Sequence, residues 1–361
     1  MKIVFVVEHF YPYVGGAEEL FLSLTTALAE AGHEIVVITT KFNSAVPIRE
    51  TYQKVKIIRI NCFNRFLFTV FSIPTIITEA RTADFIHTTS YNSAIPSFIA
   101  GKICSKKTLI TFHEVWGDLW MKLPFTPRYQ LRAFKLFEQL ILKLPFYKYI
   151  AVSAYTRQSL INHGIRSDKI VLIYNGLDAA KLRQFQHHSP EEFAYCFFGR
   201  LGISKGIELL LEASKKFIAA HPQARLKLII PTYPEKLFKK VMRKIMKSGI
   251  QKNIELFHNL TKEQLFDEVA SSSCVVIPSH SEGFCFVAVE SALINVPVIS
   301  SGLGSLKEVV SGHFLEMAEQ SAEGLFNALE TAYSGKWEYK NPLSFNLNKS
   351  VDEYLKLYGS V

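Results

Sequence analysis

The sequence predicts an α/β protein of two Rossmann-like domains, each with a doubly wound parallel sheet, that face each other across a cleft. Three observations lead to this prediction. The chain has 361 residues, which is too long for one comfortable core. Short apolar strands alternate with helical segments in the first half. After a polar stretch, the same alternation begins again.

The first domain is predicted over residues 1–180. A buried strand at 2–7 leads to a helix at 17–31, which Gly32 ends, and a second strand follows at 34–39. Further short apolar runs predict four more strands, with helical segments between most of them. These strands are expected at 56–60, 85–88, 108–112 and 149–152.

The second domain is predicted over residues 190–345, after a polar link at 178–192. Its strands are expected at 194–198, 226–230, 254–257, 274–278 and 298–300. Its helices are expected at 207–219, 234–248, 262–270 and 284–294. The remaining segment, 346–361, contains a last helix at 350–357.

The composition is that of an ordinary globular protein, with 48% hydrophobic and 20% charged residues. The five cysteines form no CxxC pair and have no histidine at metal-ligand spacing, so we expect neither a zinc site nor a disulfide framework. The N-terminus is too short for a signal peptide. The longest apolar stretch, 66–77, is broken by Ser72 and Pro74 and is too short to span a bilayer. We therefore expect a cytoplasmic protein.

The net charge of +9 is unevenly distributed. Residues up to Asn175 include 20 Lys and Arg against 12 Asp and Glu, whereas the remainder has 21 against 20. This excess suggests that the first half faces an anionic partner. A basic amphipathic stretch at 128–144 could rest on anionic lipid at the inner face of a membrane, and a helix with one core face and one solvated face is the alternative. A second basic stretch, 234–248, is interpreted as a helix with one solvated face. No nucleic-acid motif is present, so nucleic acid is not an expected partner.

Two loops combine glycine with groups that bind anions. Gly15 and Gly16 follow the first strand and open a helix, so their amides could approach an anion, although a tight turn explains them equally well. Arg200 and Lys205 flank a loop at the end of another strand. They could neutralise a diphosphate, which their position favours over a solvated surface pair.

Two acids in the stretch Ser281–Ser300 are unusual because its middle is almost wholly apolar. A buried carboxylate is costly without a partner. Glu290, within the predicted helix, could accept hydrogen bonds from the vicinal hydroxyls of a ribose. Glu282, in the preceding loop, could accept them from a sugar ring. An ion pair inside the domain core is the alternative.

One histidine is a further candidate. His113 follows a strand of the first domain, where it could hydrogen-bond a substrate or transfer a proton. An isolated histidine more often has a structural role, so both interpretations stay open.

Taken in order, these motifs resemble those of family 4 (group 1) retaining glycosyltransferases of the GT-B fold, over nearly the whole chain. The opening Gly15–Glu18, the segment Gly199–Gly206 and the paired glutamates Glu282 and Glu290 are each similar to the family pattern. The paired glutamates together with the Arg and Lys segment form a specific combination. Cys285 departs from the pattern, because glycine is common at its position.

The resemblance implies four catalytic residues. Arg200 and Lys205 would bind the donor diphosphate, Glu282 would position the donor sugar, and His113 would face the transferred sugar. Because such cations and helix dipoles replace a metal ion in this family, we expect neither a metal nor a cofactor. The last helix of this fold crosses back to the first domain, so we expect 346–361 to pack there.

The implied substrate-binding set is larger. Glu290 would bind the ribose hydroxyls, Gly16 would lie under the diphosphate, and amides near Phe284 and Cys285 would help to bind the donor. The full set is Gly15, Gly16, Arg200, Lys205, Glu282, Gly283, Phe284, Cys285 and Glu290.

The sequence therefore predicts a glycosyltransferase that uses a nucleotide diphosphate sugar and retains the anomeric configuration. Its expected acceptor is a glycan or lipid-linked glycan of cell-envelope polysaccharide or lipopolysaccharide biosynthesis. A sugar-nucleotide-binding protein that has lost catalysis and a sugar-nucleotide epimerase are alternatives. A nicotinamide-dependent oxidoreductase is less favoured, since neither first strand is followed by a full GxGxxG.

Overall fold

The computed structural model describes residues 1–13 and 15–361, which form two compact units. The first unit comprises Met1–Trp120, Tyr129–Leu177 and Phe345–Val361, and the second comprises Met121–Arg128 and Asp178–Ser344. Each unit has its own mainly parallel sheet and its own hydrophobic core. The predicted pair of Rossmann-like α/β domains is therefore confirmed.

The sheet of the first unit has eight strands. In chain order they are β1 (Lys2–Val6), β2 (Glu34–Thr40), β3 (Arg49–Tyr52), β4 (Val55–Ile60), β5 (Phe85–Thr89), β6 (Lys107–Phe112), β7 (Lys148–Ala151) and β8 (Ile170–Leu172). Their order across the sheet is β3-β4-β2-β1-β5-β6-β7-β8. All neighbours are parallel except β3 and β4 at the edge.

Helices cover both faces of this sheet. They are α1 (Gly16–Glu30), α2 (Phe68–Phe71), α3 (Ile73–Ala80), α4 (Ala94–Ile103), α5 (Arg128–Lys143) and α6 (Ala154–Asn162), with 3-10 turns at Arg65–Leu67, Gly117–Lys122 and Ser167–Lys169. Successive side chains of β1 point to opposite faces, so Phe5 packs in one cluster with residues of α1 while Val4 packs in another with residues of α3. Burial on both faces explains why the parallel strands are continuous apolar runs.

The second unit has a seven-stranded sheet. Its strands are β9 (Ala194–Phe198), β10 (Arg225–Ile229), β11 (Ile254–Phe257), β12 (Cys274–Ile277), β13 (Val298–Ser300), β14 (Gly312–Glu316) and β15 (Glu338–Lys340), in the order β11-β10-β9-β12-β13-β14-β15. Only β14 and β15 pair antiparallel. Its helices are α7 (Ala179–Leu182), α8 (Ile207–Ala220), α9 (Glu235–Ser248), α10 (Lys262–Ala270), α11 (Phe286–Leu293), α12 (Leu306–Val309) and α13 (Ala322–Tyr333), with a 3-10 turn at Gln251–Asn253.

The last helix, α14 (Leu347–Gly359), belongs to the first unit, in agreement with the expected return of the chain. Its Tyr354 and Tyr358 are buried in the same cluster as Phe5 and Phe21. Tyr358 Oη lies 2.5 Å from Nδ1 of His87 on β5. The helix therefore completes the core on one face of this sheet.

The structure differs from the predicted elements at several places. The strands β3, β8, β14 and β15 and the helices α7, α12 and α13 were not anticipated, and α11 begins at Phe286 rather than at residue 284. Met121–Arg128 groups with the second unit, although the predicted first domain included it. The physical reason is that Phe125 packs against α9, where Lys240 Nζ donates to the Phe125 carbonyl at 2.9 Å.

Across residues 1–13 and 15–361, every helix is too short or too polar to cross a bilayer.

Candidate functional site

A candidate site lies in the second unit at the carboxyl ends of β9 and β12, two neighbouring parallel strands. From β9 the chain continues to β10 on one side, whereas β12 is followed by β13 on the other. Ligands of open α/β sheets bind in the crevice where the strand order reverses in this way. The loop 199–206 after β9 and the loop 278–285 after β12 are both at this edge. We call them the first and second site loops.

An ion pair joins the two site loops. Lys205 Nζ donates to the two carboxylate oxygens of Glu282 at 2.7 and 2.9 Å. Ser279 Oγ donates to the same carboxylate at 2.6 Å. Glu282 is buried, and these contacts answer why a carboxylate is tolerated there. The structure thus brings together two residues that the sequence had marked separately.

The charge of Lys205 is stabilised by this contact. Burial lowers the pKa of its ammonium, but the Glu282 carboxylate outweighs that effect and the pKa lies above its usual value. The ammonium has three N–H donors, so it can bind Glu282 and still donate to an added anion. Lys205 is therefore cationic at neutral pH and available to a phosphate oxygen.

Close backbone contacts fix the separation of the site loops. Gly206 has a φ of +68°, and a Cβ there would overlap the carbonyl oxygen of Pro278. His280 N donates to Ser204 O at 2.8 Å. Behind the second site loop, Ser305 N donates to Glu282 O at 2.8 Å, and a Cβ on Gly304 would overlap the backbone of Glu282. The position of Glu282 is thus set by backbone contacts on two sides.

The second site loop ends in an unusual helix cap. Cys285 precedes α11 with φ +67° and ψ +79°, in the left-handed region. This conformation explains why glycine is common at that position. Burial and the nearby Glu282 carboxylate raise the pKa of the Cys285 thiol well above its usual value, so the thiol is neutral. Phe284 is buried and contacts Phe286 edge-on, with ring centroids 5.1 Å apart.

Arg200 and Glu290 lie around the same loops. Arg200 is exposed just after β9, and its charge lowers the pKa of Lys205, which opposes the effect of Glu282. Glu290 is the fifth residue of α11 and is half-buried, and its charge acts on the Cys285 thiol. The four predicted charged residues of the second unit therefore interact around one sheet edge. Their roles in binding stay predictions.

Two polar residues of the second site loop were not assigned a role from the sequence. Besides Ser279, His280 Nε2 lies 2.6 Å from Glu208 Oε1, and both side chains are largely buried. This contact joins the second site loop to the first turn of α8. The sequence could have indicated both residues by their position directly after the carboxyl end of β12, because ligand-binding groups of α/β sheets are found at that edge.

The remaining predicted residues belong to the first unit. Gly15 is the N-cap of α1 in an extended conformation, and Gly16 is its first residue. His113 follows β6, and its ring contacts the Phe21 ring edge-on with centroids 5.9 Å apart. Gly15 and Gly16 therefore form a strand-to-helix connection, and their binding roles and that of His113 stay predictions.

The corresponding strand-order reversal in the first unit, between β1 and β5, holds a cluster that the sequence did not single out. Glu8 follows β1, and its carboxylate forms an ion pair with Arg65 and accepts hydrogen bonds from Arg65 Nη2 at 3.1 Å and Asn92 Nδ2 at 2.9 Å. Asn92 follows β5. The sequence feature that could have revealed this cluster is the position of Glu8 and Asn92, each just after a strand, since the two strands are neighbours in the sheet.

Among the residues that the structure describes, no three His, Cys, Asp or Glu side chains are grouped so that they could bind a metal ion. The expected independence from metal stays a prediction.

Comparisons with known proteins identify two family profiles. The profile described as Glycosyltransferase Family 4 matches residues 14–181, and the one described as Glycosyl transferases group 1 matches residues 178–346.

Two curated relatives illustrate the range of similar sequences. The gpi3 subunit of phosphatidylinositol N-acetylglucosaminyltransferase from Schizosaccharomyces pombe is 24% identical, over 93% of this chain and 73% of that protein. The GDP-mannose:cellobiosyl-diphosphopolyprenol alpha-mannosyltransferase of Xanthomonas oryzae is also 24% identical, over 90% of this chain and 83% of that protein.

Two solved structures share the fold. Sucrose-phosphate synthase from Thermosynechococcus elongatus has a TM-score of 0.81 at 20% identity, over 99% of this chain and 98% of that one. Anabaena HepE in complex with UDP-glucose has a TM-score of 0.73 at 17% identity, over 100% of both chains.

Proposed function

Because the chain belongs to the family 4, group 1 glycosyltransferases and has the GT-B fold, we propose that it transfers a sugar from a nucleotide diphosphate sugar with retention of configuration and without a metal. The observation that carries this proposal is the contact of Lys205 with Glu282 across the two site loops. It combines a phosphate-binding cation with a sugar-binding acid at one crevice.

The cations act on the leaving group. In the reaction the bond between the anomeric carbon and the diphosphate oxygen breaks, and the nucleoside diphosphate leaves with the electron pair. Negative charge therefore develops on the diphosphate, which Lys205 and Arg200 stabilise as donors positioned before the reaction. Free amides in the first turn of α11 add partial positive charge.

The acids orient the donor. Glu282 is fixed by Lys205 and Ser279, so its carboxylate can accept hydrogen bonds from sugar hydroxyls without moving. Glu290 accepts hydrogen bonds from the ribose hydroxyls. The acceptor hydroxyl attacks the anomeric carbon from the side of the departing phosphate, and its proton passes to a phosphate oxygen. Attack from that side retains the configuration.

The donor and acceptor classes are supported by the relatives. The names of two relatives include a phosphatidylinositol and a diphosphopolyprenol as acceptor lipids, and a structural neighbour binds UDP-glucose. We therefore propose a nucleotide sugar as donor and a glycan or lipid-linked glycan as acceptor. Sugar transfer at the cytoplasmic face of a membrane, as a step of cell-envelope polysaccharide synthesis, is consistent with this donor and this acceptor.

The direct test incubates the protein with a panel of nucleotide sugars and detects released nucleotide by mass spectrometry. Slow release without an acceptor is expected, because water replaces the acceptor hydroxyl. Release of nucleotide from none of the donors, together with binding of a nucleoside diphosphate, would favour a binding protein that has lost catalysis.

Substitutions in the first site loop test whether the nucleoside diphosphate binds there. Lys205→Met should weaken nucleoside diphosphate binding by about tenfold or more, since a charge-assisted hydrogen bond contributes about 1.5–3 kcal/mol. Arg200→Gln, at an exposed position, should weaken binding without unfolding the protein. Lys216 is the matched control, because it pairs with Glu323 outside the site in the same unit. Lys216→Met should bind as the unmodified protein does, and equal binding by all three variants would contradict the proposed site.

A further inference from the structure

A histidine of the second site loop binds the first turn of α8 through its side chain. His280 Nε2 donates to Glu208 Oε1 at 2.6 Å, because a carboxylate oxygen accepts the hydrogen bond. Both side chains are largely buried, with 19% and 15% of their surfaces exposed. The other carboxylate oxygen, Oε2, is buried and has no hydrogen-bond partner among the residues that the structure describes. Glu208 therefore depends on His280, whose removal would leave a buried acid without compensation.

The backbone of the same histidine contacts the first site loop. His280 N donates to Ser204 O at 2.8 Å. Ser204 and Glu208 lie on either side of Lys205 in the sequence, so His280 contacts the chain both before and after Lys205. Glu282, the partner of Lys205, lies two residues after His280. The two bonds of His280 therefore fix the backbone around both members of this ion pair.

Other side chains hold the second site loop independently of α8. Gln320 Nε2 donates to Pro278 O at 2.8 Å, and Ser301 Oγ donates to Ser279 O at 2.7 Å. These bonds involve neither α8 nor the first site loop. Loss of the Glu208 contact should therefore loosen the approach of the two loops without unfolding the second one.

We propose that Glu208 and His280 are positioning residues, whose bond sets the separation of the two site loops and so holds Glu282 where the donor sugar binds. This inference rests on the proposed function, which assigns the donor sugar to Glu282. The cations that bind the diphosphate, Arg200 and Lys205, are both in the first site loop. Loss of the pair should therefore affect the sugar more than the diphosphate.

A second pair of histidine and glutamate in the same unit is the matched control. His221 Nε2 donates to Glu330 Oε1 at 2.8 Å and links α8 to α13. His221 is the C-cap of α8, whereas Glu208 is in its first turn. The helix has 14 residues and is therefore about 21 Å long, so the control pair is remote from both site loops. Breaking it should lower stability alone.

The first experiment measures opening of the second site loop without any ligand. Cys285 is buried at the end of this loop, so its alkylation by iodoacetamide requires the loop to open. Glu208→Ala and His280→Leu should each speed labelling of Cys285 by about tenfold or more, the factor for one charge-assisted hydrogen bond. His280→Gln keeps an N–H donor and should restore slow labelling. The control His221→Leu should leave the rate at Cys285 unchanged.

A helix-dipole effect predicts a different order of variants. Glu208 is in the first turn of α8, where the charge of an acid stabilises the helix. Glu208→Gln removes this charge but keeps an oxygen that accepts from His280. If the bond positions the loops, Glu208→Gln should be labelled as slowly as the unmodified protein. Equal rates for Glu208→Gln and Glu208→Ala would assign Glu208 to the helix dipole alone.

The second experiment separates turnover of the sugar from binding of the diphosphate. The probes are UDP-glucose and GDP-mannose, with UDP and GDP as the matching nucleoside diphosphates. In Glu208→Ala, kcat for acceptor-free release of nucleotide should fall about tenfold to a hundredfold, since a small misplacement of a positioned group has an effect of this size. The affinity for UDP or GDP should stay nearly unchanged, because Arg200 and Lys205 remain.

The double variant tests the pair as a unit. Glu208→Ala with His280→Leu should behave as either single variant does, because the second change removes no remaining side-chain contact. Additive effects, or labelling of Cys285 that is unchanged in the single variants or equally fast in His221→Leu, would overturn the proposal. So would an equal loss of diphosphate affinity and turnover. Faster labelling of Cys285 with release of nucleotide from neither probe would support the positioning of the loops and count against the proposed function.

Discussion

Cys285 shows how one residue can limit the geometry of the candidate site. It caps α11 in the left-handed region, where a side chain costs an L residue about 1–2 kcal/mol. The sequence identified the position as a departure from the usual glycine. It could not reveal that the backbone keeps the glycine-like conformation, with φ +67° and ψ +79°, since a linear pattern does not specify backbone angles.

The strained helix cap predicts that glycine at position 285 gives a more stable protein than alanine, which is the reverse of their usual order within a helix. Cys285→Ala loses the buried thiol and keeps the strain, whereas Cys285→Gly loses the thiol but relieves the strain. The glycine variant should therefore be more stable than the alanine variant by about 1 kcal/mol in urea unfolding. Ala288→Gly, at the third residue of α11, is the control, and there glycine should be less stable by a similar amount. A more stable alanine variant at position 285 would contradict the strained cap.

At the residue scale, the sequence could predict which charges matter but not how they pair. Lys205 and Glu282 were marked by their loops and by the family resemblance. These two residues are 77 positions apart in the sequence. Their direct contact, and the contacts of Ser279 and His280, depend on the distance between the two site loops. Such side-chain contacts are set by backbone packing, which a linear pattern does not specify.

At the scale of elements, prediction succeeded where strands are buried on both faces. β1, β2, β9 and β12 are near-continuous apolar runs, and their positions follow directly from that pattern. β3, with the sequence RETY, is a polar strand at the antiparallel edge, so no apolar run marks it. Helix α13 did have a signal, because Ser321 caps it and Leu325, Ala328, Leu329 and Ala332 are buried at helical spacing.

The contact between the two site loops can be tested with two glycines of similar conformation. Gly206 and Gly249 have φ of +68° and +81°, so alanine should strain either backbone by about 1–2 kcal/mol. A Cβ on Gly249 has no neighbour within 4 Å, whereas a Cβ on Gly206 would overlap Pro278 O. Gly206→Ala should therefore cost about 1–3 kcal/mol more in unfolding experiments, and it should weaken nucleoside diphosphate binding. Equal stability and equal binding for the two variants would show that the loops do not depend on this approach.

At the scale of the whole molecule, the repeated alternation of strands and helices predicted two domains. No local sequence pattern indicated that a segment of the N-terminal half belongs to the second unit, or that the C-terminal helix belongs to the first. Met121–Arg128 groups with the second unit because Phe125 is packed against α9. The last helix, α14, belongs to the first unit, where His87 contacts Tyr358 over a separation of 271 residues. Only the family resemblance anticipated the return of α14, since no local pattern encodes so distant a contact.

The contact of α14 with β5 should make the first unit sensitive to acid. His87 is buried, with Nε2 2.8 Å from Thr111 Oγ1, and burial together with the nearby His113 charge lowers its pKa from 6.5 to about 3. Between these values the unfolded chain binds a proton that the folded chain does not. The free energy of unfolding must therefore fall as the pH decreases below about 6.5, by up to about 1.4 kcal/mol per pH unit.

Urea unfolding of the His87→Gln variant between pH 7 and pH 4 would test this contribution, since its stability should decline less steeply than that of the unmodified protein. The fluorescence of Trp116 and Trp120, the two tryptophans of the first unit, can report the transition after Trp337 is replaced by phenylalanine. Carboxylates that titrate in the same range affect both proteins alike, so the difference in slope isolates His87. His163→Gln, at an exposed position of the same unit, should keep the original slope. Parallel curves for the His87 variant and the unmodified protein would mean that the packing of α14 does not depend on a neutral imidazole.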